Sequence, residues 1–280
     1  MSVTKRRLTG KKMIKPRALI LTGFGINCDF ETQTAFERAG AIAERVHVND
    51  LIDHHKKMGN YQILVFPGGF SYGDDIRSGK VLANKIYTNL YESLVKFIQD
   101  EKLIIGICNG FQVMVNMGLI TVGSADKLKQ TVTLTTNDSY RYEDRWVTLI
   151  NVSEKCVFTR GIDILYVPVA HGEGKFYSED KTIKAIESNH QVVLRYALPD
   201  GKPAGGQYPY NPNGSLNDIA GVSDPTGRIF GLMPHPERHI EFTNNPKWLT
   251  LKEKLKRKGL PIPRNGDGIK IFENAVAYFK

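Results

Sequence analysis

Three uninterrupted apolar runs, each stopped by glycine or by a cysteine elbow and each leading to a helical repeat, constrain this chain more than any other feature. "RALILTGFG" ends in Gly23 and Gly25 and passes into "ETQTAFERAGA", whose apolar positions recur at helical spacing and close on Gly40. "YQILVFPGG" stops at Pro67, Gly68 and Gly69. Beyond it, "SGKVLANKIYTNLYESLVKFIQD" keeps a stripe through Val81, Leu82, Ile86, Leu90, Leu94, Val95 and Ile98. "KLIIGI" runs through Cys108 into the helix-like "GFQVMVNMG", and "AERVHV" supplies a further strand. A strand that is apolar at nearly every position has no solvent face. The pattern therefore predicts an α/β fold whose mostly parallel central sheet is covered by helices on both faces. Such sheets gather functional groups beyond the carboxyl ends of their strands, where the stretches ending in Gly25, Gly69 and Cys108 all finish.

From about Thr131 the texture changes to alternation of apolar and polar residues, in "TVTLTTN", "RWVTLINV", "ILYVPVAHG", "QVVLRYA", "DIAGVSD" and "RIFGLMP". These segments are expected to extend the sheet and to form antiparallel hairpins at its edge, with "DPTGR" as a tight turn. "GIKIFENAVAYF" reads as a closing amphipathic helix. No repeat or low-complexity linker divides the chain, so residues 17–280 are expected to form one domain, with residues 1–16 a basic, solvated tail and residues 244–268 a basic insertion.

Composition narrows the function classes. The net charge of +9 is concentrated in that tail and in "KEKLKRKGLPIPR", without the interleaved aromatics or helix-turn-helix pattern of a nucleic-acid module. No apolar run approaches the roughly 18 residues that a membrane span needs, and the basic start lacks the apolar core of a secretory signal. Three cysteines, Cys28, Cys108 and Cys156, show no CxxC spacing. A disulfide framework and a zinc site are both disfavoured, no metal is expected, and a reducing, cytoplasmic setting follows.

Cys108 carries the chemistry. A thiol attacks as thiolate, and a position between a strand end and a helix start offers unpaired N–H groups, a favourable dipole and an exposed turn. Glycines at 106 and 110 suit such a crowded bend. The local pattern leaves two readings open, a nucleophile and a packed structural thiol. A nucleophile requires a base brought from elsewhere in the chain. In "GLMPHPERH", His235 lies between two prolines with Glu237 two residues on, a stiff and extended segment in which both side chains are expected on the same side. A carboxylate there can orient the imidazole. Gly68 and Gly69 at a strand end leave room for main-chain N–H groups to face an oxyanion, although a plain turn would look the same. His54 and His55 read as surface residues, Cys156 as packing, and Trp146 and Trp248 as core or interface residues. Cys28 follows a strand-end turn near the expected site, and no base is implied for it.

Taken together, "FPGGFSYGD", "GICNGFQ", "PVAHGEGKF", "DIAGV" and "GLMPHPER" resemble the class I (triad) glutamine amidotransferases, and among them the glutaminase components of phosphoribosylformylglycinamidine synthases. The resemblance runs in order from about Arg17 to Arg238 and resumes in the last helix. It implies a flavodoxin-like sheet and a catalytic triad of Cys108, His235 and Glu237. It further implies an oxyanion hole from the N–H groups of Gly69 and Asn109, and a glutamine head-group site walled by Gln112, His171, Gly172 and Glu173. It implies no cofactor in this chain. ATP and magnesium would belong to a separate synthetase that converts formylglycinamide ribonucleotide to the amidine, with a small bridging subunit a further expected component. Neither GxxxxGK[ST] nor a magnesium-binding carboxylate cluster occurs here. A glutaminase serving another synthetase, or a silent assembly subunit, are the alternative readings.

Overall fold

The computed structural model describes residues 15–120 and 128–280. Of the basic segment expected as a tail, Lys15 and Pro16 fall within them and the rest lies outside. The first half alternates strand and helix: β1 (Arg17–Thr22), α1 (Asp29–Ala39), β2 (Ile42–His47), the short α2 (Val48–Ile52), β3 (Ile63–Phe66), α3 (Lys80–Gln99), β4 (Leu103–Ile107) and α4 (Asn109–Met117). The second half is strand-rich: β5 (Thr133–Thr135), β6 (Glu143–Asn151), β7 (Ile164–His171), β8 (Lys175–Tyr177), α5 (Asp180–Ser188), β9 (Val192–Ala197), β10 (Ile219–Ser223) and β11 (Ile229–Leu232). Two helices, α6 (Trp248–Arg257) and α7 (Ile269–Ala277), complete the described chain.

Nine strands form one sheet in the order β2-β1-β3-β4-β11-β10-β9-β6-β7. The block from β2 to β11 is parallel, and β10, β9, β6 and β7 are added antiparallel. β1 leads through α1 to β2 on one side, whereas β3 leads through α3 to β4 on the other. Right-handed crossovers in opposite directions place their helices on opposite faces, so the strand order reverses at β1 and β3 and opens a crevice there.

The apolar runs behave as their pattern requires. All residues of β3, β4 and β11 are buried. β2 is the exposed edge and carries Glu44 and Arg45, charges that blunt pairing with another chain. α3 buries Leu82, Ala83, Ile86, Leu90, Leu94, Phe97 and Ile98 along one stripe. α1 packs on α7, with Phe36 and Phe272 edge to face at 5.0 Å. α4 lies so close to the end of β3 that a Cβ on Gly110 would fall 1.8 Å from the Phe66 carbonyl oxygen.

Two placements differ from the sequence expectation. "RIFGL" was expected as one arm of an edge hairpin. It does pair antiparallel with β10, but its other edge pairs in parallel with β4, which makes β11 a central strand. "TVTLT" joins β8 in a separate two-stranded sheet and does not extend the large one.

Candidate active site

The site lies at the carboxyl edge of β3, β4 and β11. β4 and β11 are neighbours with Ile107 opposite Leu232, so Cys108 and the Met233–Glu237 stretch leave the sheet side by side. That register is why a cysteine and a histidine so distant in sequence meet. The Cys108 N–H donates to the Leu232 carbonyl at 2.8 Å and anchors the bend. Cys108 itself has φ 51° and ψ −109°, a region costly for a residue with a side chain. Strain of this kind, of the order of 1–3 kcal/mol, persists where its surroundings over-determine it. Here they do so at both ends, because the Gln112 N–H donates to the Cys108 carbonyl at 3.1 Å and closes the first turn of α4. Cys108 is 5 % exposed, and its sulfur faces the Ala170 carbonyl at 3.5 Å.

His235 and Glu237 were expected on an extended segment. The structure instead folds residues 236–238 into one turn of 3-10 helix with Pro236 at its start, and this turn brings the carboxylate back to the ring. His235 Nδ1 and Glu237 Oε1 are 2.6 Å apart, with both side chains buried. The His235 N–H is tied to the Pro168 carbonyl at 2.8 Å, which docks the turn on β7. Nδ1 is thus committed to the carboxylate, and Nε2 is buried without a hydrogen-bond partner among the described residues. Burial alone would lower the imidazole pKa; the Glu237 charge and then Cys108 outweigh it and hold His235 well above its ordinary value. The ring is therefore poised to carry a proton beside a sulfur.

Gly68 and Gly69 make this convergence possible. A Cβ on Gly68 would stand 2.8 Å from His235 Cε1, 3.2 Å from Cys28 Sγ and 3.5 Å from Cys108 Cβ. Gly69 has φ 148°, and a Cβ there would meet the Gly25 carbonyl oxygen at 2.6 Å. The flanking bonds, Cys28 N–H to Gly68 O at 3.2 Å and Phe70 N–H to Gly25 O at 2.7 Å, do not use the Gly69 N–H. Asn109 is the first residue of α4, where main-chain N–H groups lack intrahelical partners.

The expected head-group residues fall into two sets. Gln112 faces the site but already donates to the Glu173 carbonyl at 2.6 Å and accepts from Asn109 Nδ2 at 2.9 Å. Asn109 Nδ2 also reaches Asp74 Oδ1 at 3.2 Å, which brings the last residue of "GGFSYGD" into the network. Burial, with Glu173 adding to it, raises the Asp74 pKa. His171 sits one layer behind. Its ring nitrogens face Asn137 Oδ1 at 3.2 Å and Asn213 Nδ2 at 3.4 Å, and burial followed by the His235 charge lowers its pKa to about 3. It is a neutral support for the Gly172–Glu173 loop. Sequence reasoning assigned no role to Asp74, Asn137 or Asn213, although Asp74 stood in a quoted motif and Asn213 in the Asn- and Gly-rich "NPNGS". The mouth carries aromatics: Phe70 and Tyr142, both exposed, lie with ring centroids 6.2 Å apart.

Cys108 on its strained elbow, the His235–Glu237 pair beside it and the Gly68–Gly69 strand end are the parts that a thiol nucleophile with a base and an oxyanion site requires. The CobB/CobQ-like glutamine amidotransferase domain matches residues 15–279 of this chain. A Methanococcus maripaludis phosphoribosylformylglycinamidine synthase subunit PurQ is 51% identical over 270 residues, covering 95% of this chain and 99% of the relative. A Dehalococcoides mccartyi protein of the same name is 47% identical over 267 residues, covering 95% and 98%. Among solved structures, a chain of PurLQS from Thermotoga maritima superposes with TM-score 0.70 at 31% identity, covering 95% of this chain and all of its own. The chain belongs to the PurQ family of phosphoribosylformylglycinamidine synthase subunits.

Proposed function

We propose that this chain is the glutaminase subunit of a phosphoribosylformylglycinamidine synthase, releasing ammonia from glutamine for a separate ATP-dependent synthetase in purine biosynthesis. The observation that carries the reading is the buried His235–Glu237 pair beside Cys108. In this reading His235 takes the Cys108 proton and the sulfur attacks the side-chain carbonyl carbon of glutamine. The developing oxyanion is received by the N–H groups of Gly69 and Asn109. His235 then protonates the leaving amine, ammonia departs, and a γ-glutamyl thioester remains on Cys108. Water, deprotonated by His235, attacks the thioester carbonyl carbon; glutamate leaves and the thiol regains its proton. Glu237 keeps Nδ1–H donating, so that Nε2 always faces the reaction.

Gln112, Gly172 and Glu173 form the head-group side of the pocket, with His171 bracing it from beneath. Ammonia is productive only when it is kept from bulk water, so the synthetase seats against the carboxyl edge where Phe70 and Tyr142 are exposed. ATP and magnesium are bound by that partner, and a small bridging subunit completes the assembly; the likeness to a PurLQS chain supports an arrangement of this kind. The nucleophilic thiol suits a reducing compartment, and no helix among the described residues is long and apolar enough to cross a membrane.

The test uses the complex of this chain with its synthetase. Cys108→Ala is expected to lower glutamine-driven amidine formation by at least about 10³-fold while synthesis from added ammonium salt is retained. Loss of both would make Cys108 structural, and retention of both would exclude it as the nucleophile.

A further inference from the structure

Cys28 is the second sulfur of this site, and the triad leaves it without a task. It caps the start of α1, is 1 % exposed and is fixed at both ends: its N–H donates to the Gly68 carbonyl at 3.2 Å and its carbonyl accepts from Thr32 Oγ1 at 2.5 Å. Its sulfur and the Cys108 Cβ both stand beside Gly68, at 3.2 Å and 3.5 Å from where a Cβ there would lie. Arg238 Nη2 donates to Sγ at 3.1 Å, and Sγ lies 3.4 Å from Asn27 Oδ1. Arg238 is the last residue of the turn that carries His235 and Glu237. The Cys28 sulfur is also one side of the gap at Gly68 into which His235 Cε1 projects.

We propose, on the reading of the site as a glutaminase, that Cys28 is a positioning residue: latched to Arg238, its sulfur holds the His235–Glu237 turn and places the imidazole beside Cys108. Two observations meet here, the Arg238 to sulfur bond across the chain and the gap at Gly68 that Cys28 Sγ and His235 Cε1 both line. Cys28 is also among the groups that favour the charged imidazole. The titratable and charged groups around His235 are Glu237 and Arg238 on its own turn, Cys108 at the end of β4, Cys28 before α1, His171 on β7 and Tyr142 before β6. Cys28, His235 and Glu237 do present ligand atoms within 4.8 Å of one another. A guanidinium already on the sulfur and a carboxylate already on Nδ1 argue for a latch over a metal centre.

The experiment compares wild type, Cys28→Ala, Cys28→Ser and Arg238→Gln in the complex with the synthetase, measuring glutamine-driven and ammonium-driven synthesis across pH. We expect Cys28→Ala to lower kcat with glutamine about 10-fold with little change in KM, and the alkaline limb of its pH profile to move down by about half a pH unit. The acid limb should stay in place, because the loss falls on the protonated imidazole. Serine, which accepts from Arg238, should restore part of kcat, and Arg238→Gln should shift the same limb with Cys28 intact. Ammonium-driven synthesis should be unchanged in all three and so reports that the complex has assembled. A wild-type profile and kcat in Cys28→Ala overturn the proposal, as does an equal loss of both activities, which would mean a packing role. Full glutamine-driven activity in a parallel Cys108→Ala sample would instead remove the underlying glutaminase reading.

Discussion

At the scale of single residues, two buried histidines near one another are held in opposite charge states. His171 has its folded pKa lowered to about 3 from an ordinary 6.5, so unfolding lets it take up a proton as the pH falls below that ordinary value. Its share of stability is complete at neutral pH and is lost on acidification, at roughly 1 kcal/mol per pH unit in that window. His235 has its folded pKa raised, so its share is complete below the unfolded value and is lost as the pH rises through the folded one. Urea midpoints followed from pH 7 to pH 4 should fall more steeply for wild type than for His171→Gln. Equal slopes would mean that His171 is already charged in the fold. Glu237→Gln should lower glutamine hydrolysis about 10²- to 10⁴-fold with the fold intact, because a carboxamide can no longer stabilise the imidazolium. Near wild-type turnover in that variant would remove Glu237 from the mechanism.

At the scale of elements, the legible parts were those in which local pattern and tertiary position agree. β3 and β4 are apolar throughout because they are covered on both faces, and the stripe of α3 faces the sheet as its spacing requires. β11 was harder to place. "DPTGR" is a strong hairpin signal and is correct for its pairing with β10, but no local feature shows that the other edge of the same strand is taken by β4, more than a hundred residues earlier. The register that aligns Ile107 with Leu232 is a property of the sheet alone. The turn at Pro236 is hidden from local pattern for a related reason: proline suits both an extended segment and the first residue of a helical turn, and here the segment docks on β7 through the Pro168 carbonyl as a turn. The candidate residues Cys108, His235 and Glu237 and the glycine pair stand in motifs, whereas the asparagines around His171 and the Arg238 bond to Cys28 depend on contacts between distant loops. Gly110 tests the packing of α4 on β3. Gly110→Ala should destabilise the chain by about 1–3 kcal/mol or more in a urea titration, since its Cβ would overlap a main-chain carbonyl. A neutral effect would mean that α4 can shift without cost.

At the scale of the whole molecule, the carboxyl edge of the sheet and the basic helix α6 are two of the surfaces that the described residues offer a partner. α6 has no fully buried residue, and it carries Lys252, Lys254, Lys256 and Arg257 within the segment expected to be a basic insertion. Replacing the three lysines with glutamate should weaken co-purification with the synthetase, most clearly at low salt where surface charges are least screened. Unchanged association would leave the catalytic edge as the docking surface. In the proposed reaction one sulfur, Cys108, attacks glutamine while Cys28, facing the same imidazole, does not. The most direct measurement exposes the assembled complex to a glutamine-mimicking chloroketone and maps the modified peptide by mass spectrometry. One adduct is expected, on Cys108, suppressed by excess glutamine; an adduct on Cys28, or none on Cys108 in a complex that turns over glutamine, would contradict the proposed reaction.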